Sequence, residues 1–318
     1  MPVSPKLPLT MNLFQSCSAG DIETVRSLTN GGNAVNASDR DGMTPLMHAC
    51  RNGHFELAEL LLSNDADLHA RTHRSITALM YASEGGHAPV VALLLYHGAV
   101  IDARDNVGRT ALMYASTWGH STTVTLLIKE GANIKQEDGI QWNALTYSCL
   151  SGSCVTVQIL IGAGADVRSA NMWHPCRNGS TDVVRVLLEH GANVDPMCLV
   201  DACICGHESI AVMLIYHGVD INAAYEGRTP VDGALSNGNI AIAKMLLRRG
   251  ARASPHNQGV AALCHESDAL DDLCEALADI PQLWDGVAPQ KGEMVDAIKY
   301  HPKRTSICRM LSVHSSDM

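Results

Sequence analysis

The chain repeats itself, and that repetition limits what it can fold into. Residues 76–99 read ITALMYASEGGHAPVVALLLYHGA and residues 109–132 read RTALMYASTWGHSTTVTLLIKEGA, which match column for column at an offset of 33. The frame continues through Gly32, Asp65, Gly98, Gly131, Gly164, Gly191, Gly218 and Gly250, in four steps of 33, two of 27 and one of 32. Four residues before each stands a leucine: Leu28, Leu61, Leu94, Leu127, Leu160, Leu187, Leu214 and Leu246. A second glycine column runs through Gly20, Gly53, Gly86, Gly119, Gly152, Gly179, Gly206 and Gly238.

Two short helices fit between these glycines. Leu79, Ala82 and Ser83 share one helix face, and Val91, Leu94 and Leu95 share another. Glycine ends each helix because it takes the left-handed conformation cheaply. One such pair cannot bury its apolar face alone, whereas stacked pairs can, so the expected fold is an all-α solenoid of helix-turn-helix units. Thr44-Pro45-Leu46-Met47-His48-Ala49, followed by Gly53-His54 and Leu60-Leu61-Leu62, resembles the ankyrin repeat. The resemblance covers roughly residues 11–280 and implies β-turn fingers between helix pairs, a non-catalytic role and binding of partner proteins.

The repeats are expected near 11–36, 37–70, 71–103, 104–136, 137–167, 168–194, 195–221 and 222–254, with a degenerate cap at 255–280. Residues 1–10 hold three prolines and no periodicity and read as a disordered lead-in. Residues 281–318 leave the repeat as a C-terminal extension whose simplest role is an end cap; a docking or phosphorylation segment around Ser306 is the alternative. Fingers are expected to be missing at 167–199, because Val167 to Met172 and Val194 to Leu199 span five residues where Leu68 to Leu79 spans eleven. Pro175 stands where alanine is usual, so the helix there should start late or run for about one turn.

Composition narrows the function. A net charge of −10 argues against a nucleic-acid backbone as ligand. No apolar run is long enough for a membrane span, and the first residues lack the core of a signal peptide. The expected compartment is the cytoplasm or nucleus, with reduced thiols and a monomeric chain. The eleven cysteines are mostly absorbed by the repeat, since Cys17, Cys50, Cys149, Cys176 and Cys203 share a column with Ser83 and Ser116. That column should be small and buried. Cys198, Cys203, Cys205 and His207, with His174 and Cys176 one repeat earlier, are zinc-type donors. Cys203 and His207 nevertheless occupy structural columns, so no metal is expected, nor any other cofactor. P-loop, G-x-S-x-G and H-E-x-x-H signatures are absent, and no catalytic residue is assigned.

The candidate binding residues come from helix geometry. Two positions after the core leucine of each first helix, His48, Tyr81, Tyr114 and Tyr147 should point away from the core. Next to this ladder stand Arg51, Glu84 and Trp118. The fingers add the column Met43, Ile76, Arg109 and Trp142. The expected partner-binding set is therefore His48, Arg51, Ile76, Tyr81, Glu84, Arg109, Tyr114, Trp118, Trp142 and Tyr147, a composition rich in the residues that dominate interfaces. Inter-repeat stacking is the competing reading for the tyrosines, and folding back onto neighbouring fingers is the competing reading for the finger column. A different class of role is a regulatory or adaptor subunit of an enzyme complex, docked through the finger-less segment or the C-terminal tail. His54, His87, His120 and His207 follow the inter-helix glycine, and the family resemblance implies that such imidazoles bridge neighbouring loops. The same resemblance raises asparagine hydroxylation at Asn36 and Asn222.

Overall fold

The computed structural model describes residues 9–29 and 34–252. The lead-in before residue 9, Gly32, the degenerate cap at 255–280 and the extension at 281–318 lie outside these residues. Among the described residues the chain is helical throughout, apart from turns, one 3₁₀ turn and a lone bridge between Tyr225 and Arg228. It divides into two compact units between Ala170 and Asn171.

In the first unit the helices come in pairs: α1 (Leu9–Ala19) with α2 (Ile22–Thr29), α3 (Pro45–Arg51) with α4 (Phe55–Ser63), and α5 (Ala78–Glu84) with α6 (Ala88–Tyr96). Then follow α7 (Ala111–Thr117) with α8 (Ser121–Lys129), and α9 (Ala144–Ser151) with α10 (Cys154–Gly162). Successive first helices pack on one another, as do α4, α6, α8 and α10. The second unit repeats the scheme with α11 (Trp173–Asn178) and α12 (Thr181–Glu189), α13 (Pro196–Cys205) and α14 (Glu208–Tyr216), and α15 (Pro230–Ser236) and α16 (Ile240–Arg248).

Local chemistry sets the helix starts. Thr44, Thr77, Thr110, Asn143 and Thr229 each accept a backbone N–H three residues on, filling one of the donors a helix start leaves unpaired. Pro45 and Pro230 occupy first helical positions, where no N–H is needed. The ends are set by interlock between repeats. Gly86 has φ 72°, and a Cβ there would lie 2.5 Å from Nδ1 of His120 in the next repeat. That ring in turn bonds the carbonyl of Glu84 at 2.9 Å. His54, His87 and His207 bond Ser18, Arg51 and Arg177 in the same way, at 2.9, 3.1 and 3.0 Å, so these imidazoles do bridge neighbouring loops.

The leucine column forms the spine of each unit. Leu61, Leu94, Leu127 and Leu160 are buried in the first, and Leu187, Leu214 and Leu246 in the second. Leu28 departs from the expectation: it is half-buried near the end of the short helix α2, and Val25 supplies the buried side chain there. Cys17, Cys50, Cys149, Cys176, Cys203, Ser83 and Ser116 are all fully buried. Burial pushes the thiols of Cys17, Cys149 and Cys203 up to about 12, and raises that of Cys50 as well.

The fingers expected to be missing are replaced by shorter turns. Residues Val167–Ser169 form the 3₁₀ turn, and α11 starts two residues late relative to α5 and runs for six residues. The late start places Pro175 in the first turn, where its missing N–H has no helical partner to lose. In the next repeat Asp195 caps α13, which opens two residues earlier than the sister helices and takes up the shortened connection.

Candidate functional site

Three of the four fingers of the first unit are turns closed by their own aspartate. Oδ1 of Asp105 accepts the N–H groups of Val107 and Arg109 at 3.0 and 2.8 Å. Asp138 does the same with Ile140 and Trp142 at 3.0 and 2.9 Å, and Asp39 with Asp41 and Met43 at 2.9 and 2.8 Å. The second carboxylate oxygen reaches across to the first helix of the same repeat. It accepts the hydroxyl of Tyr114 at 2.9 Å from Asp105, accepts that of Tyr147 at 2.7 Å from Asp138, and pairs with Nε2 of His48 at 2.9 Å from Asp39. One carboxylate thus shapes the finger and ties it to the helix. Burial, then the bonded carboxylate, raises the hydroxyl pKa of Tyr114 and of Tyr147 well above the usual tyrosine value.

This arrangement corrects the expectation for the tyrosine ladder. Tyr81, Tyr114 and Tyr147 are buried, at 8%, 7% and 7% exposure, because the fingers fold over them. The finger column covers them directly. The Arg109 guanidinium lies 4.7 Å from the Tyr114 ring centroid and Trp142 meets Tyr147 edge-on at 5.4 Å, while Met43 and Ile76 are themselves buried. Folding back onto the protein is therefore what the apolar finger residues do. His48 is part-buried, with Nδ1 against the hydroxyl of Ser18 at 3.0 Å.

The repeat at residues 71–103 breaks the pattern. Thr72 stands where the sister fingers carry aspartate, and its single side-chain oxygen is used by the N–H of Ile76 at 3.1 Å. Ile76 stands where the next finger carries Arg109. Unlike Tyr114 and Tyr147, Tyr81 therefore has no carboxylate of its own finger at its hydroxyl, and that oxygen is not among the buried unpartnered atoms of the described residues. A cavity of about 410 Å³ opens at this place, between the fingers and the ends of the first helices. Arg51, Ile76, Tyr81, Glu84, Arg109 and Tyr114 line it, so six of the ten expected residues meet there. Trp118 caps the end of α7 and is 61% exposed. His48, Trp142 and Tyr147 do not line the cavity.

Sequence reasoning missed four lining residues: Asp41, Thr72, His73 and Arg74. The signal for Thr72 was present, since Asp39, Asp105 and Asp138 fall in its column. Arg51 spans two repeats, with its guanidinium 5.6 Å from the Tyr81 ring centroid and 3.9 Å from the Glu84 carboxylate.

The family model described as ankyrin repeats (3 copies) matches residues 10–72, 65–138, 105–171 and 175–257. The chain belongs to the ankyrin-repeat family. Among curated proteins none matches it. Ankyrin repeats generally mediate protein–protein interaction, and the family is typically non-catalytic. Of the zinc-type donors in the second unit, Cys198 and Cys203 are buried and Cys205 is exposed. No group of three or more metal-type side chains forms a metal site among the described residues. Likewise no helix among them is long and apolar enough to cross a membrane.

In the ankyrin loops, Asn36 and Asn222 are engaged with the repeat that follows. Asn36 donates to the carbonyl of Asp65 and accepts from the N–H of Asp67, at 3.0 and 2.7 Å. Asn222 accepts from the N–H of Arg252 at 2.7 Å.

Proposed function

We propose that the chain is a non-catalytic ankyrin scaffold that binds a partner protein in the groove of its first unit. The observation that carries this reading is the open cavity beside Tyr81, with Arg51 and Glu84 at its rim and exposed Trp118 one repeat further on. Tryptophan, tyrosine and arginine around a recess are what a protein hot spot uses. Net charge −10 favours a protein over a nucleic acid as the ligand.

A second reading uses the finger-less repeats, where part-buried Trp173 donates its indole N–H to Asp201 and exposed Arg177 lies 5.3 Å from the indole ring centroid. There the chain would act as an adaptor subunit of an enzyme complex. Affinity capture with the wild-type chain beside an Arg51→Ala/Trp118→Ala variant separates the two. Both side chains are exposed, so the fold is kept. Loss of the same captured proteins from the variant supports the groove. An unchanged set moves the site to the finger-less repeats.

A further inference from the structure

We propose that the cavity at Tyr81 is a receptor for a carboxylate, supplied as an aspartate or glutamate side chain on an extended segment of the partner protein. This rests on the groove reading above and names the chemistry of what the groove takes. The protein contains its own template for the interaction. In two sister repeats a tyrosine hydroxyl at this column is bonded to a buried carboxylate, Tyr114 to Asp105 and Tyr147 to Asp138. At Tyr114 a guanidinium completes the set, with Nε of Arg109 2.9 Å from Asp105.

In the repeat just before them both internal partners of the Tyr114 site are replaced at once, aspartate by Thr72 and arginine by Ile76. Threonine is too short to fill the space and has only one oxygen, already used by its own turn. What remains is a tyrosine with a buried ring, no carboxylate of its own finger at its hydroxyl, and a place in the lining of a cavity of about 410 Å³. The hydroxyl is not among the buried unpartnered atoms of the described residues, so it opens to the cavity, and a ligand acceptor there takes the place that the carboxylate holds in the sister repeats.

The charges around the cavity are mixed, and its least committed cation is the one a carboxylate would meet. Arg51, Arg74 and Arg109 stand in its lining against Asp41 and Glu84. Arg109 is committed to Asp105 at 2.9 Å, whereas Arg51 sits 3.9 Å from Glu84 and is the less committed cation. A carboxylate placed at Tyr81 receives the hydroxyl and a guanidinium together, a charge-assisted pair like the internal one.

The test is selection from a library of displayed, unphosphorylated peptides on three full-length proteins: wild type, Thr72→Asp and Tyr81→Phe. Thr72→Asp rebuilds the internal carboxylate of the sister repeats and so fills the space while keeping the fold. The wild type is expected to enrich peptides sharing one fixed acidic position. Thr72→Asp is expected to lose that position, and Tyr81→Phe to bind the selected peptide about tenfold more weakly, the size of one charged hydrogen bond. Enriched peptides with no fixed acidic position, or an acidic position that persists in Thr72→Asp, would overturn the carboxylate while leaving the groove as a peptide site. Failure to enrich any peptide, or peptides that cross-link only outside residues 39–118, would overturn the groove reading and the carboxylate with it.

Discussion

Asp138 holds the hydroxyl of Tyr147 at 2.7 Å with one carboxylate oxygen and closes its own finger with the other. Finger and helix are therefore one cooperative element, and the fingers stand where they do because a helix residue nine positions on anchors them. Neighbouring fingers then join through backbone bonds, such as the N–H of Asn106 to the carbonyl of Arg74 at 3.0 Å and that of Gly139 to Val107 at 2.7 Å.

Tyr147→Phe removes the donor and leaves an oxygen of buried Asp138 without it. The expected cost is about 1–3 kcal/mol of unfolding free energy, the penalty of a buried group left unpaired. Urea unfolding of the variant beside the wild type checks this, and an unchanged midpoint would show the bond to be worth nothing net.

Thr72→Asp has the opposite expectation. The carboxylate would gain the Tyr81 hydroxyl and keep the turn bond to Ile76, raising stability by about 0.5–1.5 kcal/mol. The same denaturation experiment reads it out. A loss of stability would mean that the space beside Tyr81 does not match the sister sites.

The repeat, its helix pairs, the buried leucine and cysteine columns and the shortened connections after Val167 were legible in the sequence, because each is a periodic pattern of side-chain size. The site was legible only in part. Helix geometry alone aimed Tyr81, Tyr114 and Tyr147 at solvent, since it counts angles about one helix and cannot see a finger lying over it. The clue was the aspartate nine residues earlier, a polar group that a turn places beside the tyrosine hydroxyl. Thr72 is informative for the same reason: it departs from a column whose meaning appears only once the bond it breaks is known.

Gly86→Ala tests the interlock between repeats. The residue would carry a side chain at φ 72° and place Cβ 2.5 Å from the His120 ring. The left-handed backbone alone costs about 1–2 kcal/mol, and the clash adds to it. Combining it with His120→Ser should recover only part of the clash, since a Cβ at Gly119 would still lie 2.9 Å from Cβ of Ser153, the serine that holds this column one repeat on. Additive losses in thermal unfolding would contradict direct contact.

The buried thiols give a pH dependence with a defined sign. Cys17, Cys149 and Cys203 have folded values of about 12 against 9.0 for an ordinary thiol. The folded state therefore holds them protonated, a stabilisation fully present below pH 9.0 and lost as pH rises from there toward about 12. Unfolding free energy measured from pH 8 to pH 11 (roughly the span of interest) should fall above the ordinary thiol value. Alkylation at the lower pH, mapped by mass spectrometry, should mark exposed Cys205 long before these three.

The most direct test of the central claim is hydrogen–deuterium exchange on the chain with and without its captured partner. The groove account predicts new protection in the fingers at 70–77 and 104–110 and at the ends of α5 and α7, next to Tyr81, Glu84 and Trp118. Protection confined to residues 167–205, with these fingers unchanged, would contradict it and place the docking surface on the finger-less repeats.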